Sequence, residues 1–220
     1  MTDDYARERQ EVLDAVRRIV DLGLVGGASG NVSRRIAGPD GDLMAITASR
    51  VPYHRFSVAD VLVVDFDIEP VAGEGVPSSE SLLHAAIYRA RPDAGAVIHT
   101  HSVHASAFAV AGAPVPAVLD EQAVTLGGAV EVAAYAASAT EELARNAVAA
   151  LGERAAVLLR HHGVAGVGRD LEDAVAVVEL VERVARIAIL ARALGPVPGL
   201  PEDALRAEQQ AYRMLHGLRG

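Results

Sequence analysis

The chain contains no cysteine. That excludes disulfides, thiolate-bound zinc and a thiol nucleophile. It contains no lysine either, so all 20 basic residues are arginines. Schiff-base chemistry, pyridoxal phosphate attachment and a phosphate-loop lysine are excluded with it. A carbonyl substrate would have to be polarised by a metal or by hydrogen bonds. No apolar run approaches the roughly 18 residues of a membrane-spanning helix. The opening Met1-Thr2-Asp3-Asp4 is acidic and has no apolar signal core. Both features point to a cytoplasmic protein with no membrane partner. Positive charge is also in short supply, with a formal net charge of −9. This argues against nucleic acid as a partner, because phosphate backbones reward basic patches. It leaves room for a small anionic substrate, which needs only a few local donors.

The 220 residues, 51% of them hydrophobic, suit a single domain spanning 1–220 with a sizeable core. No repeat or low-complexity segment appears. Residues 3–22 carry apolar positions at helical spacing, and 23–31 form a glycine-rich loop. Strands are predicted at 43–47, 61–66, 94–101, 130–134, 155–160 and 164–167. Helices are predicted at 80–91, 103–111, 139–151, 170–194 and 202–216, the first stopped by Pro92. Several strands are apolar throughout, which implies a sheet covered on both faces. The expected fold is an α/β three-layer α/β/α sandwich around a central mixed or antiparallel sheet.

The strongest local signal is His99-Thr100-His101 at the end of an apolar strand. Residues i and i+2 of a strand share a face, about 6–7 Å apart along the backbone, so both imidazoles can converge on one cation. The alternative is two separately satisfied histidines. A third imidazole strengthens the metal reading: His161-His162-Gly163 follows another apolar strand, where the glycine permits a tight turn. Spacing leaves the choice between His161 and His162 open. Three imidazoles would leave a coordination position free, as a catalytic site needs. His104 reads as a structural helix-face residue. Pro77-Ser78-Ser79-Glu80 opens a helix, where the serines serve as caps or as donors to an anion. Glu80 would then be a fourth ligand or a general base, and His84, one turn on, a supporting residue. Gly26 to Asn31 is a second candidate anion cradle or a plain helix-terminating loop. Arg50, after Thr47-Ala48-Ser49, is a surface charge or a bidentate anion partner. Asp120-Glu121-Gln122 is a solvated turn or a source of an acid or base.

In this order and spacing, several of these motifs identify a family. Ser29-Gly30-Asn31-Val32-Ser33, Ile46-Thr47-Ala48-Ser49, Pro77-Ser78-Ser79-Glu80, Arg91-Pro92-Asp93-Ala94, His99-Thr100-His101 and His161-His162-Gly163 resemble the class II aldolase/adducin family over nearly the whole chain. The resemblance implies a homotetramer with active sites at subunit interfaces. It also implies zinc, or another divalent cation such as manganese, cobalt or iron, held by His99, His101 and His162. Glu80 corresponds to the acid/base carboxylate, which can also ligate the resting metal. Gly30, Asn31, Ser49, Ser78 and Ser79 fall where substrate phosphate binds. The implied activity is cleavage of a small ketose phosphate to dihydroxyacetone phosphate and an aldehyde through an enediolate. The alternatives on the same scaffold are decarboxylation, epimerisation or dehydration of a sugar (acid) phosphate, or a non-catalytic adducin-like module. Three positions depart from the aldolases. Arg50 stands where they carry glycine. Asp120 stands near a tyrosine that handles the aldehyde oxygen, and His216 aligns with a tail tyrosine through the short Gly217-Leu218-Arg219 match. Asp120 and His216 are therefore candidate catalytic replacements, and Arg50 a candidate substrate contact.

Overall fold

The computed structural model describes residues 5–38 and 41–217. One helix precedes the sheet, α1 (Ala6–Asp21), and the strands β1 (Asn31–Ile36), β2 (Leu43–Thr47), β3 (Val61–Asp65) and β4 (Pro70–Ala72) follow. Then come α2 (Ser81–Ala90), β5 (Ala96–Thr100), α3 (Val103–Ala111), α4 (Asp120–Leu126), β6 (Val132–Ala133) and α5 (Glu141–Leu151). The chain ends with β7 (Ala156–Leu159), β8 (Gly163–Gly168), α6 (Leu171–Leu194) and α7 (Glu202–Leu215). The eight strands form one sheet in the order β4-β3-β2-β1-β5-β8-β7-β6. Every pairing is antiparallel except β6 with β7. The predicted mixed sheet with helices on both faces is the observed fold.

Alternation along each strand divides the core in two. Met44, Ile46, Val97, Val157 and Leu159 pack under Leu83, Ile87 and Tyr88 of α2 and Leu143, Ala147 and Leu151 of α5. Val32, Ala45, Val63, Ala96 and Ile98 face α1 and the start of α6. The rest of α6, with α3, α4 and Tyr212 of α7, covers Ala156, Leu158 and Val164. His99 has the parity of Val97, so it points to the α2 side, opposite Asn31 in the register of β1.

Three segments differ from the sequence expectation, the first being the short exposed edge strand β4 (Pro70–Ala72). Asn31 opens strand β1 rather than closing a loop. The strand is hidden because its sequence, Asn-Val-Ser-Arg-Arg-Ile, is not apolar; its arginines pair with Glu11 (from Arg34) and Asp42 (from Arg35). Asp120 begins α4 rather than lying in a turn, with Gln122 fully buried and bonded to the backbone of Pro116, Val118 and Gly128. Among the described residues, no helix is long and apolar enough to cross a membrane.

Candidate metal centre and active site

Strand β5 is buried along its length and ends at Thr100, so His99 is held at 0% exposure while His101 sits just past the strand end, partly open. Its exit is fixed from the far side. The Glu182 carboxylate of α6 accepts bonds from the backbone N–H groups of His104 and Ala105 and pairs with the His104 ring at 2.6 Å. It thereby caps the free amides that open α3. His104 is thus committed to α6, as the helix-face reading expects.

The third imidazole arrives from the turn between β7 and β8. His162 donates its backbone N–H to Leu159 at 2.9 Å, and His161 takes the left-handed conformation, φ 57°. The glycine has a different job from the one expected. Gly163 opens β8, and a Cβ there would lie 2.3 Å from the Thr100 oxygen and 3.1 Å from both the His99 and the His101 rings. Glycine is required so that the two strand ends can meet, not to make the turn. The turn sends the rings apart: His162 faces the pair from β5, whereas His161 stacks edge-on against Tyr135 at 5.9 Å. The ring centroids of His99, His101 and His162 are 4.8, 4.7 and 4.9 Å apart. One nitrogen from each ring falls within 4.8 Å of the others, which is the geometry of a three-imidazole cation site.

Hydrogen bonding shows which atoms are free to bind. His99 Nδ1 lies 3.0 Å from the Val164 carbonyl, which can only accept, so Nδ1 carries the proton and Nε2 presents a lone pair. That lone pair faces His101 Nε2 at 2.9 Å and the Glu80 carboxylate at 3.0 Å. His162 Nε2 is 3.5 Å from the other Glu80 oxygen. Glu80 is 5% exposed, and its Oε1 has no hydrogen-bond partner. A buried carboxylate oxygen beside imidazole lone pairs is repulsive unless a cation lies between them. The donor set, three neutral nitrogens and a carboxylate, suits zinc and related divalent ions. Burial, and then the neighbouring imidazoles, hold the pKa values of His99 and His101 below the ordinary 6.5. Both rings therefore stay in their ligating form into mildly acidic solution.

A cavity of about 390 Å³ opens over this cluster, lined by Ser29, Gly30, Asn31, Ser49, Arg50, Ser78, Ser79, Glu80, His101 and His162. Two loops build it by pairing with each other: Ser49 N–H bonds Val76, and Ser78 N–H bonds Thr47. Gly30 is in the left-handed region, φ 84°, with its α-carbon pressed to β5; a Cβ would lie 2.6 Å from the His99 carbonyl oxygen. Arg50 is also left-handed, φ 62°, exposed, and without a carboxylate partner among the described residues. Two contributors carried no sequence signal. Ser138 lines the same cavity from a run of small residues, and the Tyr53 hydroxyl fixes the Gly30 carbonyl at 2.8 Å.

Asp120 and His216 are not among the residues lining this cavity within one chain. His216 packs against Tyr212 at 4.4 Å, in the field of Arg91, Asp93, Arg169 and Asp173, at the opposite end of β5 and β8. Leu218 and Arg219, which carried its alignment, lie outside the described residues. A hollow of about 720 Å³ along α7, lined by Glu153, Arg154, Gln209 and Arg213 among others, has no histidine in its lining.

Behind the site, His84 is fully buried between Ser33 and Asn31, and burial lowers its pKa from 6.5 to about 3. This gives a pH prediction for the metal-free protein. Below pH 6.5 the unfolded chain binds a proton that the folded chain refuses, so stability falls as pH falls and the loss levels off only near pH 3. One pKa unit is about 1.4 kcal/mol, so this residue should cost about 2 kcal/mol between pH 7 and pH 5. Denaturant unfolding at the two pH values should show the drop, and His84→Gln should remove about that much of it. An identical pH dependence in the variant would contradict the assignment.

Residues 10–189 match the family described as Class II Aldolase and Adducin N-terminal domain. L-fuculose phosphate aldolase of Escherichia coli O6:H1 is 33% identical over 211 residues, covering 96% of this chain and 95% of that protein. L-ribulose-5-phosphate 4-epimerase UlaF of Salmonella paratyphi B is 33% identical over 210 residues, covering 90% of each. A solved L-fuculose 1-phosphate aldolase superposes with a TM-score of 0.88 at 33% identity, covering 97% of this chain and 98% of that one.

Proposed function

From the premise that the chain belongs to the class II aldolase and adducin family, we propose that it cleaves a small ketose phosphate to dihydroxyacetone phosphate and an aldehyde. The observation that carries this reading is the His99 Nε2 lone pair aimed at the Glu80 carboxylate 3.0 Å away, beneath a cavity rimmed by hydroxyls. His99, His101 and His162 would hold a divalent cation, zinc first among the candidates. When bound, the cation supplies Lewis-acid polarisation of the substrate carbonyl and its neighbouring hydroxyl, which stabilises the negative charge that develops there. The phosphate is received by Gly30, Asn31, Ser49, Ser78 and Ser79, with the first amides of α2 adding a positive dipole end. In cleavage, the hydroxyl beyond the scissile bond loses its proton as the aldehyde forms. The electron pair of the broken bond passes to the ketose fragment, and Glu80, having taken a proton from the hydroxyl next to the substrate carbonyl, delivers it to the carbon left behind. Glu80 is suited to this because one carboxylate oxygen is anchored and the other is free.

The base that takes the hydroxyl proton comes from outside the single-chain cavity. We assign Asp120 to that role, contributed by a neighbouring subunit of a cytoplasmic homotetramer; His216 could reach a site only in the same way. Asp120→Asn should lower turnover about a hundredfold, the lower range for general acid–base catalysis, with bound metal unchanged. Wild-type kinetics in this variant would remove Asp120 from the mechanism.

One observation favours a second reaction. Arg50 brings an unpaired guanidinium to the cavity rim, which suits a substrate with a carboxylate as well as a phosphate. A decarboxylase, epimerase or dehydratase acting on a sugar acid phosphate would use the same centre. The metal-loaded protein should be incubated with a panel of ketose 1-phosphates while dihydroxyacetone phosphate is measured. Release from any member supports aldol cleavage. No release, together with carbon dioxide from a 3-keto acid phosphate, would overturn it in favour of the second reaction.

A further inference from the structure

A line of polar side chains runs from the centre of the molecule to Glu80. The Tyr88 hydroxyl lies 2.8 Å from Ser33 Oγ, and Ser33 Oγ lies 2.6 Å from His84 Nδ1. His84 Nε2 lies 2.5 Å from Asn31 Oδ1, and the Asn31 amide nitrogen donates to Glu80 Oε2 at 3.2 Å. Exposure is 1% at Tyr88, 0% at Ser33 and His84, 4% at Asn31 and 5% at Glu80, so the line is closed to water except at its cavity end. Side chains this polar are not needed to fill a core, and each is placed against the next.

The direction of every bond follows from its end. A carboxylate only accepts, so Asn31 must turn its NH₂ to Glu80 and its oxygen to His84. His84 Nε2 must then carry the ring proton. Nδ1 of the neutral ring is left as an acceptor, Ser33 must donate to it, and Tyr88 must donate to Ser33. All four bonds run one way, towards Glu80.

We infer that His84, set by Ser33 and Tyr88 and acting through Asn31, is a positioning residue for Glu80: it fixes the anchored oxygen Oε2 so that Oε1 is turned toward His162, and the amide of Asn31 bars proton transfer along the line. An amide hands on orientation but not a proton, because both of its N–H groups stay bonded to nitrogen. Glu80 must therefore gain and lose its proton on the cavity side, where substrate sits. The inference rests on Glu80 acting as the acid/base group. It adds that the carboxylate is aimed by the tautomer of a ring two hydrogen bonds away.

The first measurement needs no substrate. Histidine ¹⁵N NMR of the zinc-loaded protein should show His84 neutral and protonated on Nε2. A ring protonated on Nδ1, or on both nitrogens, would overturn the inference. The second is kinetic. His84→Leu should lower kcat by about 10- to 100-fold, the range seen when groups supporting a metal site are lost, with KM and bound zinc unchanged. His84→Gln, which keeps an N–H donor toward Asn31, should recover most of that loss. Should His84→Leu fail to fold, Ser33→Ala serves in its place: it should return a mixture of His84 tautomers and a lowered kcat. A folded, zinc-loaded His84→Leu or Ser33→Ala protein with wild-type kcat would overturn the inference. If the tautomer is as stated but no ketose phosphate is turned over, the functional reading fails and the tautomer assignment stands.

Discussion

Replacing His99 with alanine is expected to empty the metal centre and lower turnover about a thousandfold or more. The estimate follows from several kcal/mol of charge stabilisation supplied by a catalytic cation, at about 1.4 kcal/mol per tenfold in rate. His99 is chosen because it is the best-fixed ligand. It is fully buried, its tautomer is locked by Val164, and its Nε2 meets both His101 and Glu80. His101 and His162 are partly open, so their loss is easier to compensate with water or Glu80. Elemental analysis of the purified variant should find far less than one ion per chain. Circular dichroism of the metal-free variant and metal-free wild type should coincide, because His99 lies at a strand end outside the main hydrophobic clusters. Wild-type turnover in a metal-free variant would show that the cluster is structural.

Glu80→Gln is expected to lower turnover by about 10² to 10⁴, the usual worth of a positioned general acid–base group, while metal binding is largely kept. Glutamine has the same shape and can still occupy the place between Asn31 and His99. It cannot deliver and reclaim a proton at neutral pH. The two variants therefore separate two roles that the sequence left joined. His99→Ala should lose metal and rate together, and Glu80→Gln should lose rate with the metal present. Loss of the metal in Glu80→Gln would instead make the carboxylate an obligatory ligand.

Much of this site was legible because its geometry is local. A strand places residues two apart on one face, so His99-Thr100-His101 announced a pair before any fold was known. The helix start at Glu80 and the apolar strands were readable for the same reason. What was not legible depends on approach between distant segments. Nothing near His161-His162-Gly163 says which ring turns inward, because that is decided by the left-handed backbone at His161 and by the need for Gly163 to clear Thr100. Strand β1 is not legible because it is polar, and its arginines find partners only when β1 lies against α1 and the start of β2, at Glu11 and Asp42. Tyr53, Ser33 and Tyr88 have ordinary sequence surroundings and acquire their roles only when folding brings them to Gly30 and His84. Asp120 and His216 mark another limit, since a single chain does not bring either of them to the cavity.

Two features of the site pull in different chemical directions. The imidazole cluster and Glu80 form a general platform for charge development beside a carbonyl. Arg50, held in the uncommon left-handed conformation at the rim, is the feature that would narrow the substrate. The platform is the firmer ground for experiment, because it can be tested without knowing the substrate.

The proposed chemistry depends on His99, His101 and His162 holding one divalent cation. Titrating metal-stripped protein with cobalt(II), while recording its visible spectrum, tests this most directly. Intense absorption bands of a low-coordinate nitrogen and oxygen site are expected, saturating at one ion per chain and absent from His99→Ala. A weak spectrum like that of hydrated cobalt, with no break at one equivalent, would contradict it.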